Sequence, residues 1–373
     1  MEFVLTSKER VLRALQFQHS DRTPRDFAAV PEVWQRLVEH FGTSERSEIL
    51  DRLNVDCRLV SYDSYCHHPD IPDSSVDLDA SRERSSTATM WRAQLGSGVN
   101  RDIWGACRRK VRHGFGELDE LVGAPLAEAA SLEDLHVYRW PEPDWWDFSQ
   151  LREDISRLNE KSEHSIRYRV GSVFETAWSL RGMEQFLLDC GSAPELSCYI
   201  MDRIAEVHVE NLRRVLTSAH DLIDIVYFYD DLASQEGLML SERMYARMIQ
   251  PYHARIIEVA SSFGKPVMMH SCGAVYRLIP RLIDMGLSVL NPIQTTARGM
   301  DPAKLAREFG EQLVFHGAID VQRLLPTATP AVIREHVALM DQTLGSHGGY
   351  IRSGSHHLQA DTPLENVLAM YSV

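Results

Sequence analysis

The chain has few cysteines, no long apolar run and no excess of positive charge, and each absence removes a class of protein. Its six cysteines, Cys57, Cys66, Cys107, Cys190, Cys198 and Cys272, show no CxxC spacing, which argues against a disulfide scaffold or a zinc finger. A metal site would have to be assembled from distant segments. No stretch approaches the roughly 20 apolar residues of a membrane span, and the start of the chain, with Glu2, Lys8, Glu9 and Arg10, lacks the apolar centre of a signal peptide. The expectation is a cytoplasmic protein. Lys and Arg number 39 against 53 Asp and Glu, a net charge of −14, which is the wrong sign for holding a phosphate backbone. Neither nucleic acid nor membrane is an expected partner. No early Gly-x-Gly-x-x-Gly turn is present, so the usual support for a dinucleotide-binding sheet is missing too.

What the chain does have is apolar material and length. With 373 residues, 44% hydrophobic and 25% charged, it exceeds a small recognition module and can bury a large core. From about Ser165 onward a short apolar run repeatedly ends in a polar or glycine cluster and is followed by an amphipathic stretch. The predicted strands there are Ile166–Gly171, Ile223–Tyr229, Pro266–His270, Ser288–Asn291, Leu313–Gly317 and Gly349–Arg352. Between them fall predicted helices Glu195–Ser218, Ser241–Phe263, Val275–Met285, Pro302–Phe309 and Pro330–Leu344, with Ser241 and Asp301 placed as caps. Nearer the start, Ser7–Gln16 and Pro31–His40 read as helices, and Arg25–Ala28 and Asp56–Val60 as strands. Strands alternating with helices in this number favour a single (β/α)8 TIM barrel spanning residues 1–373. The Ser-, Asp- and Arg-rich stretch Ser61–Asn100 breaks the alternation and reads as an inserted loop or lid. The tryptophans of Trp140–Trp146 are expected to pin an extended connection to the outside of the barrel.

Active sites of such barrels form where the C-terminal ends of the strands converge. Those ends carry Glu175, Asp230-Asp231, His270-Ser271-Cys272-Gly273, Asn291 with Gln294, His316 with Asp320, and His356-His357 with Gln359. His270 and Cys272 lie two apart, so an extended backbone points both to one side, where imidazole and thiolate can grip zinc. His356 can supply a third ligand, and Glu175 or a water can complete a tetrahedron. The plain alternative is a hydrogen-bonded histidine beside a small buried thiol. Asp230 and Asp231 can divide acid and base work once repulsion separates them, or one can serve as a cap. His316 and Asp320 can move a proton or simply satisfy a loop. Gln294, Asp320 and Gln359 are the candidates for holding substrate.

The runs His270-Ser271-Cys272-Gly273, Asn291-Pro292-Ile293-Gln294, Phe315-His316-Gly317-Ala318-Ile319-Asp320 and Asp361-Thr362-Pro363-Leu364-Glu365-Asn366-Val367 resemble the uroporphyrinogen decarboxylase superfamily. Lys8–Leu15, Asp21-Arg22-Thr23-Pro24 and the Asp230-Asp231 segment through Ser241 resemble it as well. The resemblance implies a (β/α)8 barrel and one of two activities. One branch removes carboxylates from the acetate arms of uroporphyrinogen without a cofactor. The other transfers methyl groups between a corrinoid protein and a thiol such as coenzyme M, using zinc. The decarboxylase branch carries an arginine-rich segment after Arg-x-Pro, whereas residues 23–32 here hold one arginine and two acids, a poor match for a polyanion. The methyltransferase branch binds zinc through His-x-Cys and a later cysteine; here His270 and Cys272 stand in place and His356 occupies the later position. The resemblance therefore implies a zinc-dependent methyltransferase-like enzyme acting on a small-molecule substrate. Zinc would be held by His270, Cys272, His356 and Glu175, with Asp230, Asp231 and His316 as catalytic groups. A corrinoid protein and a second copy of the chain are the implied partners. The alternatives are a cofactor-free decarboxylase and a non-catalytic subunit that docks a corrinoid protein.

Overall fold

Apolar runs too short for helices and bounded by polar turns pair side by side and bury both faces. The computed structural model describes residues 5–76, 91–113, 116–160 and 163–372. Its strands are β1 (Cys57–Ser61), β2 (Arg92–Gln94), β3 (Val99–Asp102), β4 (Cys107–His113), β5 (Gly116–Gly123), β6 (Ser165–Gly171), β7 (Ile225–Tyr229), β8 (Val267–His270), β9 (Val289–Ile293), β10 (Val314–Ile319) and β11 (Tyr350–Gly354). Seven form a curled parallel sheet in the order β1-β6-β7-β8-β9-β10-β11, and the other four form a separate antiparallel meander. The six late strands coincide with the predicted runs to within a few residues. Parallel neighbours require helical crossovers, and the longest, Pro194–Ala219, buries Ile200, Ile204, Val207, Leu212, Val215 and Leu216.

The predicted strand Arg25–Ala28 is an extended segment that touches both ends of this sheet. Asp26 N–H donates to Arg352 O, Arg352 N–H to Pro24 O, and Asp56 N–H to Arg25 O, each at 2.8 Å. It thereby joins the chain beside β11 to the chain just before β1.

Side-chain alternation along the strands stacks the interior in layers. Cys57, Ile225, Met268, Val289, Val314 and Ile351, one from each of six strands, make an apolar layer, sealed by Val11 and Ala14 of the helix Ser7–Leu15. Two residues further along the same strands come Leu59, Tyr227, His270, Asn291, His316 and Ser353, all facing one cavity. The period of two thus converts a greasy plug into a polar floor in a single step.

Two predicted elements differ in detail. The helix expected over Ser241–Phe263 starts at the predicted cap, with Ser241 Oγ accepting from Met244 N–H, but passes through a π turn at Tyr245–Ile249 before Gln250–Ser262 resumes. Pro251 is the cause, because it has no N–H to continue the α register. The stretch Ser61–Asn100 is not loop throughout. Residues 77–90 lie outside the described residues, but β2 and the start of β3 fall within it and join a sheet that runs on to Gly123. Buried Trp91 and Ala93 alternate with Arg92 and Gln94, a half-buried strand too short to stand out in a polar background. The tryptophan-rich connection is pinned as expected: Trp140 and Trp146 are buried, and Trp146 Nε1 donates to Tyr62 O at 3.1 Å. Among the described residues no helix is long and apolar enough to cross a membrane.

Candidate functional site

The cavity above the polar floor measures about 330 Å³ and is lined by strand-end residues from most of the sheet. At its rim the segment after β8 turns sharply, and nearly every backbone N–H in it is taken by a neighbouring strand end. Ser271 N–H donates to Asn291 O at 2.7 Å, Cys272 N–H to Asp231 Oδ1 at 2.7 Å, and Gly273 N–H to Gln294 Oε1 at 2.7 Å. Gly273 has φ +84°, and a Cβ there would stand 2.4 Å from Ser234 O, so only glycine permits the turn. The result is a fixed presentation of His270 and Cys272.

The ligand atoms of His270, Cys272 and His356 all lie within 4.8 Å of one another, and Cys272 Sγ is 3.3 Å from His270 Nε2. Zn–N of about 2.0 Å and Zn–S of about 2.3 Å at tetrahedral angles set N and S about 3.5 Å apart. The spacing and the donor set fit zinc. His356 reaches the group from the loop after β11, its ring 6.2 Å from that of His270. Burial first, and the neighbouring His270 second, push its pKa down to about 4, which keeps the imidazole neutral, as a ligand must be. Burial pushes the Cys272 thiol up, with the Asp231 and Glu175 carboxyls adding to it.

Behind His270 runs a chain of hydrogen bonds with one consistent set of protons. His270 Nδ1 meets Asn291 Oδ1 at 2.7 Å, which makes Nδ1 the donor and leaves Nε2 free toward Cys272. Asn291 Nδ2 then donates to His316 Nδ1 at 2.5 Å, so His316 Nε2 carries the proton it gives to Asp26 Oδ2 at 2.8 Å. Asp26 is held in turn by Arg167 at 2.6 Å. Such outer partners fix the tautomer and orientation of a metal-binding imidazole, and their loss typically costs about 10–100-fold in metal affinity. Asn291→Leu is expected to weaken zinc binding by about that factor while His270 and Cys272 remain, checked by competition against a chromophoric chelator.

The other expected residues are distributed unevenly. Asp231 and Glu175 line the cavity. Glu175 stands outside the ligand group, its Oε1 accepting from Asp231 N–H at 2.7 Å; burial, then Asp231 and Asp230, raise its pKa to about 8. Asp230 is fully buried and accepts from Val173 N–H, Glu175 N–H and His253 Nε2, anchoring the start of the helix Phe174–Arg181. It does not line the cavity, and neither do Gln294, Asp320 and Gln359. Gln294 holds Gly273 and Gln235. Asp320 caps Gln322, Arg323 and Leu324, and Gln359 donates to His357 O.

Sequence reading passed over Asp26, Arg167, Arg169, Tyr227 and Tyr229, which all line the cavity. The alternation Arg167, Arg169 on β6 and Tyr227, Tyr229 on β7 was the available signal, since every second residue of an interior strand faces the same way. Both arginines are already neutralised inside the protein, Arg167 by Asp26 and Arg169 by Asp63. Arg25, the single arginine of residues 23–32, is turned away to Tyr371 O.

In comparison with known proteins, a family model described as uroporphyrinogen decarboxylase (URO-D) matches residues 119–373. A methyltransferase from Methanosarcina mazei is similar in structure, with TM-score 0.64, 17% identity, and 98% of this chain and 97% of that one covered. Xylanase 10B from Thermotoga maritima (TM-score 0.38, 13% identity, 58% and 71% covered) and the Penicillium canescens endo-1,4-beta-xylanase XylE (TM-score 0.35, 11% identity, 61% and 78% covered) are similar only more distantly. No curated protein matches. With its match covering well over half of the 373 residues, the chain belongs to the uroporphyrinogen decarboxylase (URO-D) family.

Proposed function

We propose that the sheet closes as a (β/α)8 barrel, with residues 25–29 as its eighth stave, and that the protein is a zinc-dependent methyltransferase-like enzyme. The observation that carries the reading is the His270, Cys272, His356 donor set at the cavity rim; the methyltransferase named among its structural neighbours supports it. Zinc bound there would supply Lewis acidity, activating an acceptor thiol or polarising a substrate oxygen. The methyl group would move between a small substrate, or a corrinoid carried by a partner protein, and an acceptor.

The chain's own residues then divide the work. Both His316 nitrogens are engaged, so it positions His270 through Asn291. Asp231 fixes Cys272 and faces the cavity beside His270, 3.7 Å from its Nε2. Burial and the neighbouring Asp231 and Asp230 favour the protonated form of Glu175, from which it can give a proton to a departing group. Decarboxylation of a polyanionic porphyrinogen fits less well, because Arg167 and Arg169 are already paired with aspartates and have no charge to spare for carboxylates.

The test is metal analysis of protein purified without added zinc. One zinc per chain is expected, together with no turnover of uroporphyrinogen. Absence of stoichiometric metal with no uptake on zinc addition overturns the reading.

A further inference from the structure

A second chamber of about 230 Å³ lies between the antiparallel meander and the main cavity. Glu175 and Tyr229 line both spaces, so the two adjoin across those side chains. Two hydrogen bonds connect this shared wall to the zinc-ligand group, from Asp231 N–H to Glu175 and from Cys272 N–H to Asp231. A molecule seated in the second chamber therefore has one end against Glu175 and Tyr229, two hydrogen bonds removed from Cys272.

The lining says what such a molecule is. Tyr62, Trp91, Trp104, Trp178 and Tyr229 give the chamber an aromatic surface, which favours offset or edge contact with another flat ring. Its arginines and aspartates are matched within the protein. Arg108 pairs with Asp102 at 2.5 Å and donates to Ser179 Oγ, Arg92 pairs with Asp119 at 2.6 Å, and Asp63 holds Arg169. Nothing in this pattern calls for a charged ligand. Two donors are left over: the indole N–H groups of Trp91 and Trp104, in side chains only 1% and 3% exposed, have no acceptor among the described residues. Buried donors are normally satisfied, and each exception asks for a missing partner. A cavity of roughly 150 Å³ holds benzene, so this one has room for a substituted ring.

We propose that the chamber binds the non-reacting part of the substrate, and that this part is a neutral planar ring bearing an oxygen acceptor. The meander β2–β5, together with Trp91, is then a specificity element added to the barrel. The inference rests on the zinc-site reading only in placing the reacting end toward Cys272; ring binding itself needs no metal.

The experiment uses the full chain stripped of zinc by a chelator, with guaiacol as the ring probe and methoxyethanol as the aliphatic control. Binding is read by tryptophan fluorescence and calorimetry. Saturable binding of guaiacol and none of methoxyethanol is expected. Trp178→Ala should weaken guaiacol by about fivefold, the size of one aromatic contact. Trp91→Phe, which keeps a ring but removes the N–H, should weaken it by about five- to tenfold, the size of one hydrogen bond. Trp178 is only half-buried, and melting curves identify any variant that fails to fold; Trp178→Leu then replaces Trp178→Ala. No saturable binding, or binding that both variants leave unchanged, overturns the proposal. Guaiacol binding to a protein that takes up no zinc would overturn the methyltransferase reading and leave the chamber standing. Stoichiometric zinc and transfer from aliphatic donors without ring binding would do the reverse.

Discussion

Cys272→Ser is expected to lower zinc affinity by more than about 100-fold, beyond the roughly 10–100-fold that follows loss of an outer-shell partner. A thiolate is the only anionic donor among the three residues, and a neutral hydroxyl at the same position is a much weaker ligand for a borderline-soft cation. The substitution should leave the metal-free fold intact, because Asp231 holds the backbone N–H of residue 272 rather than its side chain. Chelator competition measures the affinity, and cobalt substitution gives an independent reading, since the sulfur-to-metal charge-transfer band should vanish in the variant. Unchanged affinity, or a retained band, would remove Cys272 from the site and return it to the role of a small half-buried thiol.

The second large effect concerns stability. Asp26→Ala should cost about 3–5 kcal/mol, the loss seen when one partner of a buried ion pair is removed. Arg167 and Asp26 are 6% and 3% exposed, so the guanidinium left behind has little access to water. Adding Arg167→Met should recover much of the loss, because a buried pair replaced by apolar groups of similar size is often neutral. Urea unfolding of the two variants measures both changes. Equal stability of Asp26→Ala and wild type would show that Arg167 finds water or another partner.

The same pair sets a pH dependence. Burial works to raise the Asp26 carboxyl, but Arg167 and the His316 hydrogen bond outweigh it and hold the group below the usual carboxylate range. Its folded pKa is therefore lower than its unfolded value of about 3.9. The stabilisation it brings is present above that value and is lost as pH falls through the folded pKa. Wild type should thus lose stability more steeply than the Asp26→Ala, Arg167→Met double variant on acidification below about pH 4.

Much of the parallel sheet was legible because its strands are written locally. Each late run is apolar, short and closed by a polar turn, and the caps Ser241 and Asp301 announce their helices in the chain itself. His270 and Cys272 were legible for the same reason, since two residues of one strand end keep their relation wherever the strand goes. The meander was not. Its strands are brief and polar on one face, and their pairing, such as Val99 with Arg109, leaves little mark on either segment alone.

The remainder of the site depends on contacts between segments far apart in the chain. Asp26 and His316 are separated by 290 residues, and only the extended segment bonded to Arg352 and Asp56 brings them into contact. Asp230 illustrates the opposite outcome: its neighbour in sequence faces the cavity, while Asp230 itself turns to the start of a helix and His253. Adjacent residues of an extended chain point to opposite sides, and which side is cavity and which is packing depends on what the other strands supply. The sequence by itself therefore determined the alternation of strands and helices, the family and the placing of His270 beside Cys272. The tertiary structure decided that His356 completes the group, that Asn291, His316 and Asp26 orient it, and that Arg167 and Arg169 are already matched in charge, because those relations exist only where distant strand ends meet.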